Sequence, residues 1–274
     1  MQSNDEFYRK LIKPVRDSRI NNAINSLSSD DFSPYDQELN WAERAIPIVK
    51  LKKNILAWSF NSLKNLDSFP YMYVMNGNTD SLIALFCRSK TMSWKHGDYS
   101  YYKYWHVASK KSFNELSSPQ QVEDLIVTWP GYSQGNKDEL DFALSCKADR
   151  LHLDCAYLNL VKPDSIDTSV FETVSISFSK PLSVPYNRIS VLFSKNELPE
   201  YSLLNRLGYV NLAGVHIINN LMQLIPANYW WETYKNIYQT MCKDKNLIAS
   251  DCLLFAYEDK NRIGTAPYWQ EYLL

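Results

Sequence analysis

Apolar residues along this chain recur at helical spacing in some stretches and in short unbroken runs in others, and the two kinds of stretch alternate. Residues 41–54 carry apolar side chains turn by turn and predict a helix; 55–60 (ILAWSF) are read either as a strand or as the end of that helix. Residues 71–75 (YMYVM) predict a short buried strand, and 79–87 a helix capped by Thr79 or Asp80. Then come a strand at 122–129, a helix at 137–146, a strand at 150–154, and two more strands at 173–179 and 188–193. Strands alternating with helices imply an α/β fold, with a mostly parallel central sheet flanked by helices. The tail differs: 209–225 and 228–245 are long helical patterns and 252–257 a last strand, so residues 196–274 read as linking helices plus a reduced C-terminal α+β lobe. The polar stretch 1–40 reads as an N-terminal arm with one helix over 6–25, and 41–195 as the large domain.

Composition narrows the picture mostly by exclusion. The chain has 274 residues, 45% hydrophobic and 22% charged, with a formal net charge of -1. That balance asks for neither nucleic acid nor an anionic membrane as partner. No apolar run is long enough to span a bilayer, and the polar, acidic opening of the sequence does not resemble a secretory signal. Five cysteines without a CxxC pair fit buried thiols in a reducing cytoplasm better than a disulfide framework or a zinc site. Four histidines (His96, His106, His152 and His216) lack metal-ligand spacing. Glycine is scarce at 7 residues, and Gly77, Gly97, Gly131 and Gly135 lie in or beside the stretches that carry candidate chemistry.

Three segments, each at the end of an expected strand, carry that chemistry. In Asn76-Gly77-Asn78-Thr79-Asp80-Ser81 a strand enters a glycine turn and then a helix start. Free backbone N–H groups and the helix dipole there favour an anion, with Thr79 and Ser81 as hydroxyl donors; plain capping is the simpler alternative. In Asp154-Cys155-Ala156-Tyr157 a carboxylate falls at a strand end with a tyrosine three places on, suited to a protonated ring nitrogen or merely to a loop. In 173–180, Val174, Ile176 and Phe178 take one face and Ser175, Ser177 and Ser179 the other, and the strand ends at Lys180. A lysine leaving such a strand is either solvated or partly desolvated, and desolvation lowers its pKa and makes its amine a nucleophile.

Together the three segments resemble the cofactor site of the fold-type I pyridoxal-phosphate enzymes, the aspartate-aminotransferase superfamily. That family carries D-x-A-Y, then S-x-x-K, then an arginine eight residues after the lysine; here these are Asp154–Tyr157, Ser177–Lys180 and Arg188. The match is good over roughly residues 70–195 and poor at both ends. The resemblance implies a pyridoxal-phosphate-dependent transferase-like large domain with pyridoxal 5'-phosphate as cofactor. Lys180 would form a Schiff base with it and shuttle the substrate's α-proton. Asp154 would pair with the pyridinium nitrogen and Tyr157 with the ring's phenolic oxygen. Asn76, Gly77, Asn78, Thr79, Ser177, Ser179 and Arg188 would surround the phosphate and the lysine. Tyr99 stands where the family places an aromatic ring over the cofactor, or is simply a tyrosine of a tyrosine-rich stretch.

The sequence also departs from the family. Where an asparagine usually contacts the phenolic oxygen, in a loop anchored here by Pro130 and Gly135, this chain has Tyr132. It is shorter than a typical member, mainly in the C-terminal lobe, where Arg262 resembles the setting of the arginine that holds a substrate carboxylate and otherwise reads as a hairpin surface residue. The expected activity is an aminotransferase acting on an amino acid or other small amino compound, with a pyridoxal-phosphate decarboxylase or lyase, or a non-catalytic relative, as alternatives. Family members are usually homodimers, in which a tyrosine such as Tyr35 would reach the neighbouring site.

Overall fold

The computed structural model describes residues 17–27, 41–99, 101–104, 110–131, 138–259, 261–269 and 271–272. Helices α1 (Ser18–Asn25) and α2 (Trp41–Ser59) precede a short strand β1 (Leu63–Lys64). Then follow β2 (Tyr71–Met75), α3 (Asn78–Arg88), β3 (Thr91–Lys95), β4 (Ser112–Leu116), β5 (Gln121–Thr128), α4 (Asp138–Ser145) and β6 (Lys147–Cys155). After β7 (Ile166–Asp167) come β8 (Thr173–Ser177), β9 (Ser190–Ser194), α5 (Pro199–Arg206), α6 (Leu212–Leu224) and α7 (Tyr229–Asp244). The chain continues with β10 (Ile248–Ala249), β11 (Phe255–Glu258), β12 (Asn261–Gly264) and α8 (Ala266–Trp269).

Seven strands form the central sheet in the order β2-β9-β8-β6-β5-β3-β4. All are mutually parallel except β9, which runs antiparallel to β2 and β8. The reversal has a local cause. Parallel neighbours need a crossover, usually a helix, but only a short 3-10 turn, Pro185–Asn187, lies between β8 and β9, so the chain folds straight back. Strand residues alternate between two hydrophobic clusters: Val74, Leu125, Val127, Leu153, Val174, Ile176, Val191 and Phe193 enter one, and Tyr73, Met75, Ile126 and Leu192 the other. Both faces are therefore covered, as a mostly parallel sheet requires.

The first cluster runs unbroken from α2 through the sheet to α6, α7 and the C-terminal residues Leu253, Leu254, Phe255 and Trp269. Buried Asn219 of α6 ties α2 to this layer: its amide donates to the Pro47 carbonyl at 3.0 Å and its oxygen accepts from Asn54 at 2.8 Å. At the N-terminal side, buried Asp17 caps α1 through the Ile20 N–H at 2.8 Å and accepts hydrogen bonds from the hydroxyls of Tyr229 and Tyr234 on α7.

Several sequence expectations change. Of the two readings of 55–60 the helical one holds: residues 55–59 finish α2, because Ile55 and Trp58 continue its buried stripe. Helix α3 starts at Asn78 with Gly77 as N-cap, and Asp80 instead accepts the Asn76 N–H at 3.1 Å. Strands β3 and β4 lie in a stretch for which no strand was expected. The strand expected over 252–257 begins at Phe255 and is followed by a further strand, β12, while Cys252 makes only an isolated bridge to Val161. Most of the expected N-terminal arm lies outside the described residues, as do Tyr35 and Tyr132.

Candidate functional site

Strand register assembles the site. Met75 and Ser177 both pair with Ser190, so the ends of β2 and β8 and the start of β9 stand abreast. That places Asn76–Thr79, Lys180 and Arg188 at one edge of the sheet, although more than 100 residues separate the first from the last. On the neighbouring strands, Asp154 pairs with Ser175 on one side and Thr128 on the other. The reversal of β9 is what returns Arg188 to the edge that Lys180 has just left.

Gly77 allows the closest approach there. Its φ is +86°, and a Cβ built on it would lie 2.9 Å from Nη2 of Arg188. Only glycine accommodates both that backbone and that neighbour. Arg188 is exposed, takes a left-handed φ of 43°, and donates from Nη2 to Thr79 Oγ1 at 3.4 Å. A guanidinium and a threonine hydroxyl thus meet at the first turn of α3, the chemistry of an anion cradle. Ser81, expected as a further donor, is buried against the hydroxyl of Ser190 at 3.2 Å and belongs to the packing beneath.

Asn78 joins the cradle to the carboxylate. Its side-chain amide donates to Asp154 Oδ1 at 2.7 Å, while its own Oδ1 is buried without a hydrogen-bond partner. Such an orphan acceptor carries a free-energy cost unless a ligand or water supplies a donor. Asp154 is fully buried and its other oxygen accepts from the Tyr102 hydroxyl at 3.1 Å. Burial raises the Asp154 pKa above its ordinary value, opposed by the bonds from Asn78 and Tyr102 and by the charge of Lys180.

The amine of Lys180 lies 4.9 Å from the centre of the Tyr157 ring. Burial holds it below the ordinary lysine pKa; the Asp154 carboxylate opposes that shift and Arg188 adds to it. Tyr157 is buried, with its ring edge-on to Phe255 at 5.9 Å, and the Arg262 guanidinium stands 6.0 Å from the centre of the Phe255 ring. Arg262 therefore connects to the site through two rings. Ser177 is buried at the end of β8, and Ser179 is half-buried beside Lys180. Tyr99 is half-buried, tilted against Tyr101 and edge-on to Tyr102 with ring centres 5.3 Å apart in each pair; it is Tyr102 whose hydroxyl reaches Asp154.

Sequence reasoning missed Tyr102, Thr128 and Asp98. The Tyr102 hydroxyl also meets Thr128 Oγ1 at 2.8 Å, and the Thr128 N–H donates to Asp98 Oδ2 at 3.2 Å. Only the position of Thr128, last in β5 and opposite Asp154, is a signal that pattern reading could have used. A cavity of about 780 Å³ bordered by Trp58, Trp129, Leu158 and Asn159 lies next in sequence to these residues, but none of the sequence-chosen site residues lines it. Among the described residues, no group of His, Cys, Asp and Glu is placed to hold a metal ion, and no helix is long and apolar enough to cross a membrane. All five cysteines are free.

No protein-family model matches the sequence, and no curated protein matches it. Solved structures do. Substrate-bound BacF from Bacillus subtilis superposes with a TM-score of 0.61 at 13% identity, over 90% of this chain and 74% of that one. The aminotransferase AspB from Helicobacter pylori gives 0.61 at 16% identity, over 90% and 76%. A pyridoxal-phosphate-bound C–S lyase from Staphylococcus hominis gives 0.60 at 10% identity, over 93% and 77%. At such identities the likeness speaks for architecture alone. The chain therefore has the fold of the fold-type I, aspartate-aminotransferase-like proteins.

Proposed function

We propose that this chain is a pyridoxal-phosphate-dependent enzyme that acts on a small amino compound through Lys180, and that its reaction is transamination. One observation carries the reading: an amine of lowered pKa, a buried carboxylate and a glycine–arginine cradle meet at one sheet edge, joined by Asn78. The residues suit such a group on their own chemistry. The cradle fits a phosphate, Asp154 fits a ring N–H⁺, and Asn78, bonded to Asp154, keeps a buried Oδ1 without a partner. Lys180 would hold the cofactor's aldehyde carbon, Asp154 its ring nitrogen, Tyr157 its phenolic oxygen, and Gly77–Thr79, Ser177 and Arg188 its phosphate. Solved neighbours that are aminotransferases or C–S lyases support the same class.

When bound, the cofactor supplies an electron sink for charge developing at the substrate's α-carbon. The protein's part is position and proton transfer. The Lys180 amine, whose pKa burial lowers, takes the α-proton and later returns it. Asp154, held by Asn78 and Tyr102, is fixed in a dry site facing the place of the cofactor's ring nitrogen in this reading, where a charge acts most strongly. Arg262, over Phe255, is the guanidinium for a substrate carboxylate in this reading. A second copy of the chain as partner belongs to the same proposal.

The test is spectroscopic. The purified chain with pyridoxal phosphate is expected to show a visible, borohydride-reducible chromophore that Lys180→Ala lacks, and turnover that requires a keto-acid acceptor. A wild-type protein that stays colourless with added cofactor would overturn the reading. Turnover without an acceptor would replace transamination with elimination or decarboxylation.

A further inference from the structure

We infer that Asn211 is a positioning residue of the anion cradle: its side-chain amide grips the peptide that precedes Arg188 and so holds that arginine in the left-handed backbone conformation that brings its guanidinium to Gly77 and Thr79. Asn211 is the N-cap of α6, and β9 and α5 separate it from Arg188 along the chain. Its Oδ1 accepts from the Gly214 N–H at 2.8 Å, an ordinary helix cap. Its Nδ2 has a different partner. It donates to the carbonyl oxygen of Asn187, the last residue of the 3-10 turn between β8 and β9. A backbone N–H on one side and a carbonyl on the other fix which way the amide faces. One side chain thus satisfies a helix end and takes hold of the turn that leads into Arg188.

The carbonyl of Asn187 and the N–H of Arg188 are two ends of one rigid peptide plane. Fixing the oxygen fixes the plane, and the φ of Arg188 is the rotation about the bond that leaves it. That φ is 43°, with a ψ of 60°, a conformation that a residue with a Cβ adopts at a cost. The cost and the worth of one hydrogen bond are of similar size, so a single bond can decide whether the conformation is kept. Beyond the arginine the chain is already held: Ile189 is fully buried and β9 begins at Ser190. The arginine's own contact holds it only weakly, because its side chain is exposed and its hydrogen bond to Thr79 is long, 3.4 Å. The plane before Arg188 is therefore where its direction is set. Strained backbone of this kind persists where the surroundings impose it.

Gly214 makes room for this grip. It lies in the first turn of α6, where glycine is a poor helix former. A Cβ built on it would stand 2.7 Å from Nδ2 and 2.9 Å from Cγ of Asn211, so any larger residue would push the amide aside. Two glycines therefore bracket the arrangement. Gly77 admits the guanidinium, which a Cβ there would meet at 2.9 Å, and Gly214 admits the amide that steadies the backbone behind it. The same helix carries Asn219, which ties α2 to the core, so the cradle is referred through Asn211 to the best-packed layer of the molecule.

This deepens the cofactor reading and rests on it in one of its two tests. Pyridoxal phosphate and pyridoxal differ only in the phosphate, so the ratio of their dissociation constants reads the cradle and cancels damage elsewhere in the site. Arg188→Ala gives the ratio for a cradle without its guanidinium. Asn211→Ser keeps a capping oxygen for the Gly214 N–H and adds no charge, but falls a bond short of the Asn187 carbonyl. Gly214→Ala leaves Asn211 in the chain, displaces its amide, and favours the helix itself. Both variants are expected to move the ratio toward that of Arg188→Ala by about 3- to 10-fold, the worth of one hydrogen bond, while unfolding close to the wild-type temperature. Ratios equal to wild type in both would overturn the proposal.

The second test needs no cofactor. Crystal structures of the wild type and of Asn211→Ser, both without ligand, give the φ of Arg188 directly. The wild type is expected near 43°. In the variant the residue is expected to relax to a negative φ, carrying its guanidinium away from Gly77 and Thr79. An Arg188 that keeps its left-handed φ in the variant would overturn the positioning role, whatever the ratios show. A wild type that binds neither pyridoxal compound would bring down the cofactor reading alone, and the backbone comparison would then decide the role of Asn211 by itself.

Discussion

Asp124 and Asp154 stand on the same face of two paired strands, at opposite ends of one row of side chains. Across β5 and β6 the row reads Asp124 with Arg150, Ile126 with His152, and Thr128 with Asp154. Both carboxylates are buried, yet their environments differ in kind. Asp124 accepts from Arg150 Nε at 2.6 Å and Nη2 at 2.7 Å, from His152 Nε2 at 3.1 Å, and from the Ser89 hydroxyl. Burial pushes its pKa up, but His152, Arg150 and Ser89 together outweigh that and bring it to about 2. Asp154 has neutral donors on both oxygens, and burial wins, raising its pKa. Burial is common to both; the charge of the donors sets the sign. A carboxylate held by a guanidinium, an imidazole and a hydroxyl anchors the sheet, whereas one held by an amide and a phenol remains available to a cationic ligand.

The contrast can be broken by making the same substitution at both places. Asp154→Asn is expected to lower turnover by about 10²–10³-fold, the usual cost of removing one fixed charge or donor from a reacting centre. Its stability at pH 8 should be unchanged or higher, because it removes a buried charge that folding disfavours. Asp124→Asn is expected to lose roughly 3 kcal/mol of stability, the lower end for breaking a buried pair, since Arg150 is 41% exposed and can recover water. Activity per folded molecule should survive. Chemical unfolding curves and activity normalised to folded protein would read both. An Asp124 variant that folds normally but loses turnover, or an Asp154 variant that unfolds, would abolish the distinction.

Pattern reading reached the Asp154 end of this row more readily than the Asp124 end, for physical reasons. Asp154, Lys180 and Arg188 sit at strand ends, where a polar residue interrupts an apolar run and stands out. Asp124, Arg150 and His152 lie within strands and become a cluster only once the β5–β6 register is known. Strands β3 (TMSWK) and β4 (SFNEL) are short and half polar, and their pairing with each other and with β5 is what makes them strands. The antiparallel sense of β9 was open to inference from the helix-free connection, but the alternation of elements pointed to a parallel strand. Asn78, chosen as part of an anion turn, proved to bridge that turn to Asp154, and Tyr102 sits in a run of tyrosines that no period singles out. Side chains that act by closing a gap between distant segments leave no local signature.

The finest test of the comparison is its pH dependence. A carboxylate whose folded pKa is depressed contributes stability that is present above its unfolded value and is lost as pH falls through the folded one. For Asp124 the window runs from the ordinary 3.8 down to about 2. At one pKa unit per about 1.4 kcal/mol, the part of its worth that depends on ionisation is about 2 kcal/mol. The stability gap between wild type and Asp124→Asn should therefore hold steady from neutral pH to about pH 4 and narrow by that amount as acid takes it toward pH 2. Urea unfolding at a series of pH values measures the gap directly. A gap that stays constant into acid would mean that Asp124 acts through shape and neutral hydrogen bonds, as an asparagine could, and that the Arg150 guanidinium does not distinguish it from Asp154.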